Sequence, residues 1–307
     1  MTAEAAFIEA MRTLACSDAA RGLNDDAAVL QADGPLVVTH DIMVEGVHWL
    51  PGQDAADVAW KLVATNLSDL AAKGCAPVGL VLGYMLGDTA WNARFVLGLR
   101  DVLQRFDAPL IGGDTVSQAS AGPRSLGLTA IGRPARNPPP ARADAAAGQR
   151  VWVTGILGAA LAGFEALQAG NNDPDLTAPY RRPVPLISQG IALAPVVGGM
   201  MDVSDGLLLD AGRMAIASGT TLAIDSAAVP VHAALADRRM EGMTWGDDYQ
   251  LLFTLDPQLH APVAATCIGR VLPRGPVPLL IDGAAPDAAM QLGFLHEGTS
   301  AALNRDK

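Results

Sequence analysis

The chain has 307 residues, half of them hydrophobic and only 17% charged, which excludes a disordered or fibrous protein and predicts two domains. Its net charge of −11 and pI near 4.8 argue against a nucleic-acid or anionic-membrane partner. Three scattered cysteines, Cys16, Cys75 and Cys267, suggest neither a disulfide framework nor a zinc site.

Phe7, Ile8, Met11 and Leu14 fall at helical spacing within residues 3–15. With Glu4 and Glu9 inside, that stretch resembles no secretory leader, so the cytoplasm is the expected location. Asp25-Asp26 follows, and then a β-branched run over 35–41 that reads as a strand closing on Asp41. Glu45, Gly46 and His48 occupy the loop beyond it. Residues 55–73 read as a helix stopped by Gly74, 77–86 as a buried strand and 91–106 as a helix. The longest apolar run, around Cys75 to Gly87, is too short and glycine-broken to span a bilayer. Leu110-Ile111 leads into a Gly112-Gly113 turn before Asp114, and 125–131 reads as another strand.

Residues 134–148, proline-rich and free of apolar periodicity, form the expected linker between domains at 1–135 and 149–307. Beyond it, 151–154 is strand-like, 159–169 helical and 171–185 a polar loop. A short helix at 187–193, a strand at 199–203 and a helix at 207–217 follow. Further short strands are expected at 221–225, 251–255, 267–272 and 277–281. Strands and helices intermix, which gives an α/β (α+β) class with mixed sheets flanked by helices.

Aspartates are the chemistry of this chain: Asp26, Asp41, Asp69, Asp114, Asp202, Asp205 and Asp247 sit in apolar or glycine-rich surroundings. A carboxylate withdrawn from water needs a compensating cation, and hard oxygen donors suit magnesium, which brings phosphate oxygens with it. Only three lysines occur, Lys61, Lys73 and Lys307, so metal ions would supply much of the positive charge for a nucleotide. Asp69 shares a helical stripe with Val58, Leu62 and Thr65; the alternative is an exposed i,i+4 pair with Lys73 worth about 0.3–0.5 kcal/mol. Asn66 and Ser68, polar within the same apolar helix, favour a site. Asp202 and Asp205 bracket a strand-to-helix junction, where Ser204 or Asp205 caps the helix, binds phosphate, or does both. No P-loop, dinucleotide fingerprint, His-Glu-x-x-His or EF-hand pattern is present.

In order, GLNDDAAVL (22–30), VTHDIMVEGVHW (38–49), NLSDLAAKGCAP (66–77), IGGDT (111–115), DVSDGLLLD (202–210) and GDDYQLLFT (246–254) resemble the thiamine-monophosphate kinases. That family belongs to the superfamily of aminoimidazole ribonucleotide synthetase. The resemblance implies direct transfer of the ATP γ-phosphoryl onto thiamine monophosphate, a two-domain fold and a homodimer formed through the N-terminal domains. It implies magnesium at Asp26, Thr39, Asp41, Asp69, Asp114, Asp202 and Asp205, ATP contacts from Gly113, Asp114, Arg133 and Ser204, and acceptor contacts from His48, Asp247 and Phe294. Three positions depart from the family pattern. Asn24 replaces a glycine, His40 replaces a small hydroxyl residue and either ligates metal or crowds it, and Asp247 replaces a glutamate. The competing readings are another ATP-dependent enzyme of the superfamily and a non-catalytic nucleotide- or metal-binding paralogue.

Overall fold

In the computed structural model, which describes residues 2–117 and 122–295, the first strand β1 (Val37–Val44) alternates between two environments. Val37, Thr39, Asp41 and Met43 face one way, while Val38, His40 and Ile42 are exposed on the other, as the two-residue pleat requires. β4 (Ser125–Pro134) pairs antiparallel with β1 and with β2 (Cys75–Leu86), and β3 (Leu110–Ser117) runs parallel to β2. The sheet order is β1-β4-β2-β3.

Helices α2 (Ala55–Ala71) and α3 (Thr89–Phe106) cover one face of this sheet, started by Asp54 and Asp88, which accept the Ala56 and Trp91 amides. Val58, Leu62, Phe95 and Leu99 pack there on Leu80, Leu82, Leu126 and Leu128. Helix α1 (Ala3–Arg12) completes the layer, stacking Phe7 on Tyr84 with ring centroids 4.1 Å apart. On the opposite face, Ala15, Ala20 and Ala28 of the N-terminal segment cover Ile111, Val81 and Ile131, leaving Val38, Ile42 and Val116 exposed.

The second sheet has the order β10-β7-β9-β5-β8-β6 and is antiparallel except for the β7/β10 pair. Its strands are β5 (Arg150–Thr154), β6 (Met200–Val203), β7 (Thr221–Ile224), β8 (Gln250–Leu255), β9 (Ala265–Leu272) and β10 (Leu279–Ile281). Helix α7 (Leu207–Ser218) packs Leu207, Leu208, Ala211 and Met214 against Val153, Met201 and Leu252. On the other side, α6 (Ile187–Leu193) shares a core with Leu251, Phe253 and Leu255, and Ala71 and Ala72 at the end of α2 enter the same core. Helices α4 (Ala159–Gln168), α5 (Pro174–Arg181) and α8 (Arg239–Thr244) complete the fold.

The mixed α/β class is as expected, with four local differences. β1 runs on to Val44, so Asp41 lies inside the strand rather than at its end. Gly112 and Gly113 are strand residues of β3, not a turn; a Cβ on Gly113 would approach the Leu82 carbonyl oxygen to 2.4 Å, so close strand packing explains that glycine. The segment expected as a loop at 171–185 contains α5, whose start is made by Asp173 accepting the Asp175 amide with Pro174 in the first turn. Helix α8 was not anticipated at all. Of the region expected as the second domain, residues 296–307 lie outside the described residues.

Candidate active site

Helix α2 is buried along its whole length except at Trp60 and Asp69, yet it carries Lys61, Thr65, Asn66, Ser68 and Asp69. Buried polar groups must find partners, and these do. The Asn66 side chain donates to the Leu62 carbonyl at 2.9 Å and accepts the Asp41 amide at 3.1 Å, which ties β1 to the helix. Ser68 donates to Asp202 at 2.6 Å, and Thr39 donates to Asp69. Lys61, Thr65 and Asp69 recur every four residues, so they form one stripe about 12 Å long at 1.5 Å per residue. The expected alternative for Asp69 is not realised: the Lys73 ammonium donates instead to the carbonyls of Pro140 (3.3 Å) and Met200 (3.1 Å).

The opposing wall is the junction between β6 and α7. Gly206 (φ 114°) and Gly246 (φ 89°) occupy backbone regions that favour glycine, and a Cβ on Gly246 would come within 2.4 Å of the Ser204 carbonyl oxygen. This close approach lets the Asp247 amide donate to the Ser204 carbonyl at 2.7 Å, while the Phe294 amide donates to the Asp205 carbonyl at 2.8 Å. The helix begins at Gly206 without a side-chain cap; Asp210 accepts the Ser204 and Asp205 amides at 3.2 and 3.1 Å instead. Arg213 bridges Asp205 and Asp210.

Between these walls lies a cleft of about 830 Å³. Asp41, Thr65, Asp69, Asp202, Ser204, Asp205, His48, Tyr180, Asp247, Tyr249 and Phe294 are among the residues that line it. Burial, with Asp69 and Asp205 nearby, pushes Asp41 up to about 6. Burial and Asp69 push Asp202 up to about 7. None of the ion pairs among the described residues includes Asp41, Asp69 or Asp202. Mutually repelling carboxylates that lack a direct ion pair and have hydroxyls beside them form a hard oxygen set, which fits magnesium. Among the described residues no three His, Cys, Asp or Glu side chains converge on one point, so an ion here would complete its shell with phosphate oxygens and water.

The structure thus gathers Asp41, Asp69, Asp202, Ser204, Asp205, His48, Asp247 and Phe294 on one cleft, with Thr39 bonded behind Asp69. Asp26, His40, Gly113, Asp114 and Arg133 do not line it. Strand register explains the separation. Asp41 aligns with Leu128, Leu82 and Gly113, whereas Asp114 aligns with Gly83, Gly127 and Ile42 on the opposite face. Three strand spacings also separate β1 from β3, about 14 Å. Asp41 and Asp114 of one chain therefore cannot share an ion. His40 points to the exposed face, its Nδ1 within 2.9 Å of Thr129 Oγ1, away from Asp41. Asp26 is exposed, its amide donating to Asp25 at 2.8 Å, and Arg133 is exposed on β4.

Residue-type reasoning passed over Lys61, Tyr180, Asp210, Arg213 and Tyr249. A lysine inside an otherwise apolar helix was the available signal for Lys61. Tyr180 depends on packing between distant segments, whereas Asp210, Arg213 and Tyr249 act within their own segments by pairing around Asp205 and Asp247.

Two family descriptions match the chain: AIR synthase related protein, N-terminal domain, over residues 24–133, and AIR synthase related protein, C-terminal domain, over residues 146–273. The chain is 37% identical to the thiamine-monophosphate kinase of Escherichia coli strain K12 over 281 residues, covering 83% of this chain and 85% of that one. It superposes on the crystal structure of the Stenotrophomonas maltophilia K279a thiamine-monophosphate kinase with a TM-score of 0.81 at 33% identity, covering 93% and 97% of the two chains. The structure of AaThiL complexed with AMPPCP and TMP gives a TM-score of 0.75 at 26% identity, covering 87% of this chain and 92% of that one. Sequence motifs, two-sheet fold and acidic cleft converge with these likenesses: the chain belongs to the thiamine-monophosphate kinase family.

Proposed function

We propose that this chain transfers the γ-phosphoryl group of ATP onto the phosphate of thiamine monophosphate, releasing thiamine diphosphate and ADP. A bond forms between the γ-phosphorus and an acceptor phosphate oxygen as the bond to the β-phosphate bridging oxygen breaks, so no protein nucleophile is needed. The observation that carries the reading is the set of Asp41, Asp69, Asp202 and Asp205 around one cleft that also holds His48, Asp247 and Phe294. Such a cleft can accept two phosphate-bearing molecules together, and the similar AaThiL is known as a complex with AMPPCP and TMP.

Phosphoryl transfer asks the protein chiefly for positioning and charge neutralisation. Asp41, Asp69, Asp202 and Asp205 would hold magnesium, with Thr39 orienting Asp69 and Ser68 orienting Asp202. Bound magnesium would offset the repulsion between the two anionic substrates. Ser204 lines the cleft at the start of α7; its amide is taken by Asp210, so it would meet a phosphate through its hydroxyl. His48 accepts the Val44 amide at Nδ1 (2.9 Å), which places its proton on Nε2, the donor suited to an acceptor phosphate oxygen. Asp247 and Phe294 would hold the rest of the acceptor.

Asp26, Asp114, Gly113 and Arg133 enter this reading through a homodimer. The face carrying Asp114 also exposes Val38, Ile42 and Val116, an apolar surface consistent with pairing of N-terminal sheets. The domain division at 1–135 and 149–307 is part of the same proposal, the first domain dimerising and the second completing the cleft. Among the described residues no helix is long and apolar enough to cross a membrane, which agrees with small-molecule substrates met in water.

A coupled assay of ADP release tests the reading. Release should require ATP, magnesium and thiamine monophosphate together and stop on chelation. ADP release indifferent to the acceptor would refute it.

A further inference from the structure

Lys61 is a fully buried lysine, its side chain 1% exposed, projecting from α2 beneath the cleft. Its ammonium has three contacts. It donates to the His48 carbonyl oxygen at 2.9 Å, donates to Asp247 Oδ2, and lies 4.0 Å above the centre of the Tyr180 ring. His48 follows the first strand of the N-terminal sheet, whereas Asp247 precedes β8 of the other sheet, so one ammonium holds together two segments 199 residues apart. The other Asp247 oxygen accepts the Tyr249 hydroxyl at 2.8 Å. Asp247 itself has φ 63°, a left-handed conformation unfavourable for a non-glycine residue, so external contacts must maintain it.

We infer that Lys61 is a positioning residue for the acceptor: its ammonium fixes Asp247 against the His48 loop and neutralises the carboxylate that would otherwise meet an anionic substrate unpaired. The inference rests on the phosphoryl-transfer reading of the cleft. Its bias toward the acceptor follows from its partners: Lys61 lies about 12 Å along α2 from Asp69, and its ammonium touches Asp247, the His48 carbonyl and Tyr180 but none of Asp41, Asp69, Asp202 or Asp205.

Buried ion pairs make this testable, because removing one partner strands the other. The full chain is assayed as wild type, Lys61→Met and Lys61→Ala, with KM for thiamine monophosphate and for ATP measured separately. Lys61→Met keeps most of the side-chain volume and is the variant read if the alanine protein does not fold. The acceptor KM should rise about tenfold or more, while the ATP KM stays within about threefold. In Lys61→Ala, n-propylammonium, which replaces the missing atoms and charge, should recover most of the loss, and n-propanol should not. Parallel changes in both KM values, an acceptor KM like the wild type's in Lys61→Met, or equal rescue by the alcohol would overturn the inference. Wild-type protein that makes no thiamine diphosphate would instead overturn the functional reading beneath it.

Discussion

Asp69 is the residue whose environment changes most between sequence and structure. In the sequence it competes with a surface pairing to Lys73; in the structure it faces Thr39 and raises both Asp41 and Asp202. Asp69→Asn keeps the shape and the Thr39 contact but removes the charge, so turnover should fall below detection while circular dichroism and melting stay close to the wild type's. Near-normal turnover would remove Asp69 from the metal set. Asp247→Ala should raise the KM for thiamine monophosphate about tenfold or more, with ATP little affected, since a charged hydrogen bond is worth roughly 1.5–3 kcal/mol. Equal effects on both substrates would make Asp247 a turn residue only. The polar positions Asn66, Ser68 and Asp69 were legible because they interrupt an apolar helix. Lys61 carried the same mark, but its meaning lay in Asp247, 186 residues away.

At the scale of elements, α4 shows how a distant segment can supply a helix start. Its N-cap is Gly158, with no side chain to offer, and Asp248 accepts the Gly158 amide at 2.9 Å and the Ala160 amide at 3.4 Å from outside. Burial pushes Asp248 up to about 7 from 3.8 despite those bonds. Between roughly pH 4 and 7 the folded chain therefore keeps a proton that the unfolded chain has lost, so this group makes stability fall as pH rises through that window. Asp248→Asn should remove this contribution, on the order of a few kcal/mol across the window, in urea melts at pH 4.5 and 7.5. Parallel pH dependence in the two proteins would show that the burial argument fails. The contact of α2 with α3 gives a second case: a Cβ on Gly98 would sit 2.1 Å from the Ala56 carbonyl oxygen. Gly98→Ala should cost at least about 1–3 kcal/mol by forcing the helices apart. Long periodic segments such as α2, α3 and α7 were readable from apolar spacing alone. Helix α5 was not, because its prolines and polar residues look like a loop until Asp173 is seen capping it.

At the scale of the molecule, the N-terminal sheet divides the expected metal residues between its two faces, with Asp41 toward the cleft and Asp114 away from it. No periodicity argument could reveal this, because both lie at strand positions and only the register assigns their sides. If the exposed face pairs two chains, Ile42→Asp, which buries a charge in the apolar contact, should convert a dimer to a monomer in light scattering at micromolar concentration. A wild-type monomer at that concentration would count against the dimer. The central claim is phosphoryl transfer between two bound phosphate compounds in the acidic cleft. Phosphorus NMR of the chain with magnesium, thiamine monophosphate and ATP labelled with oxygen-18 in its γ-phosphate tests it most directly. The account predicts that the label appears in the terminal phosphate of thiamine diphosphate as ADP accumulates; label recovered only in inorganic phosphate, with thiamine monophosphate unchanged, would contradict it.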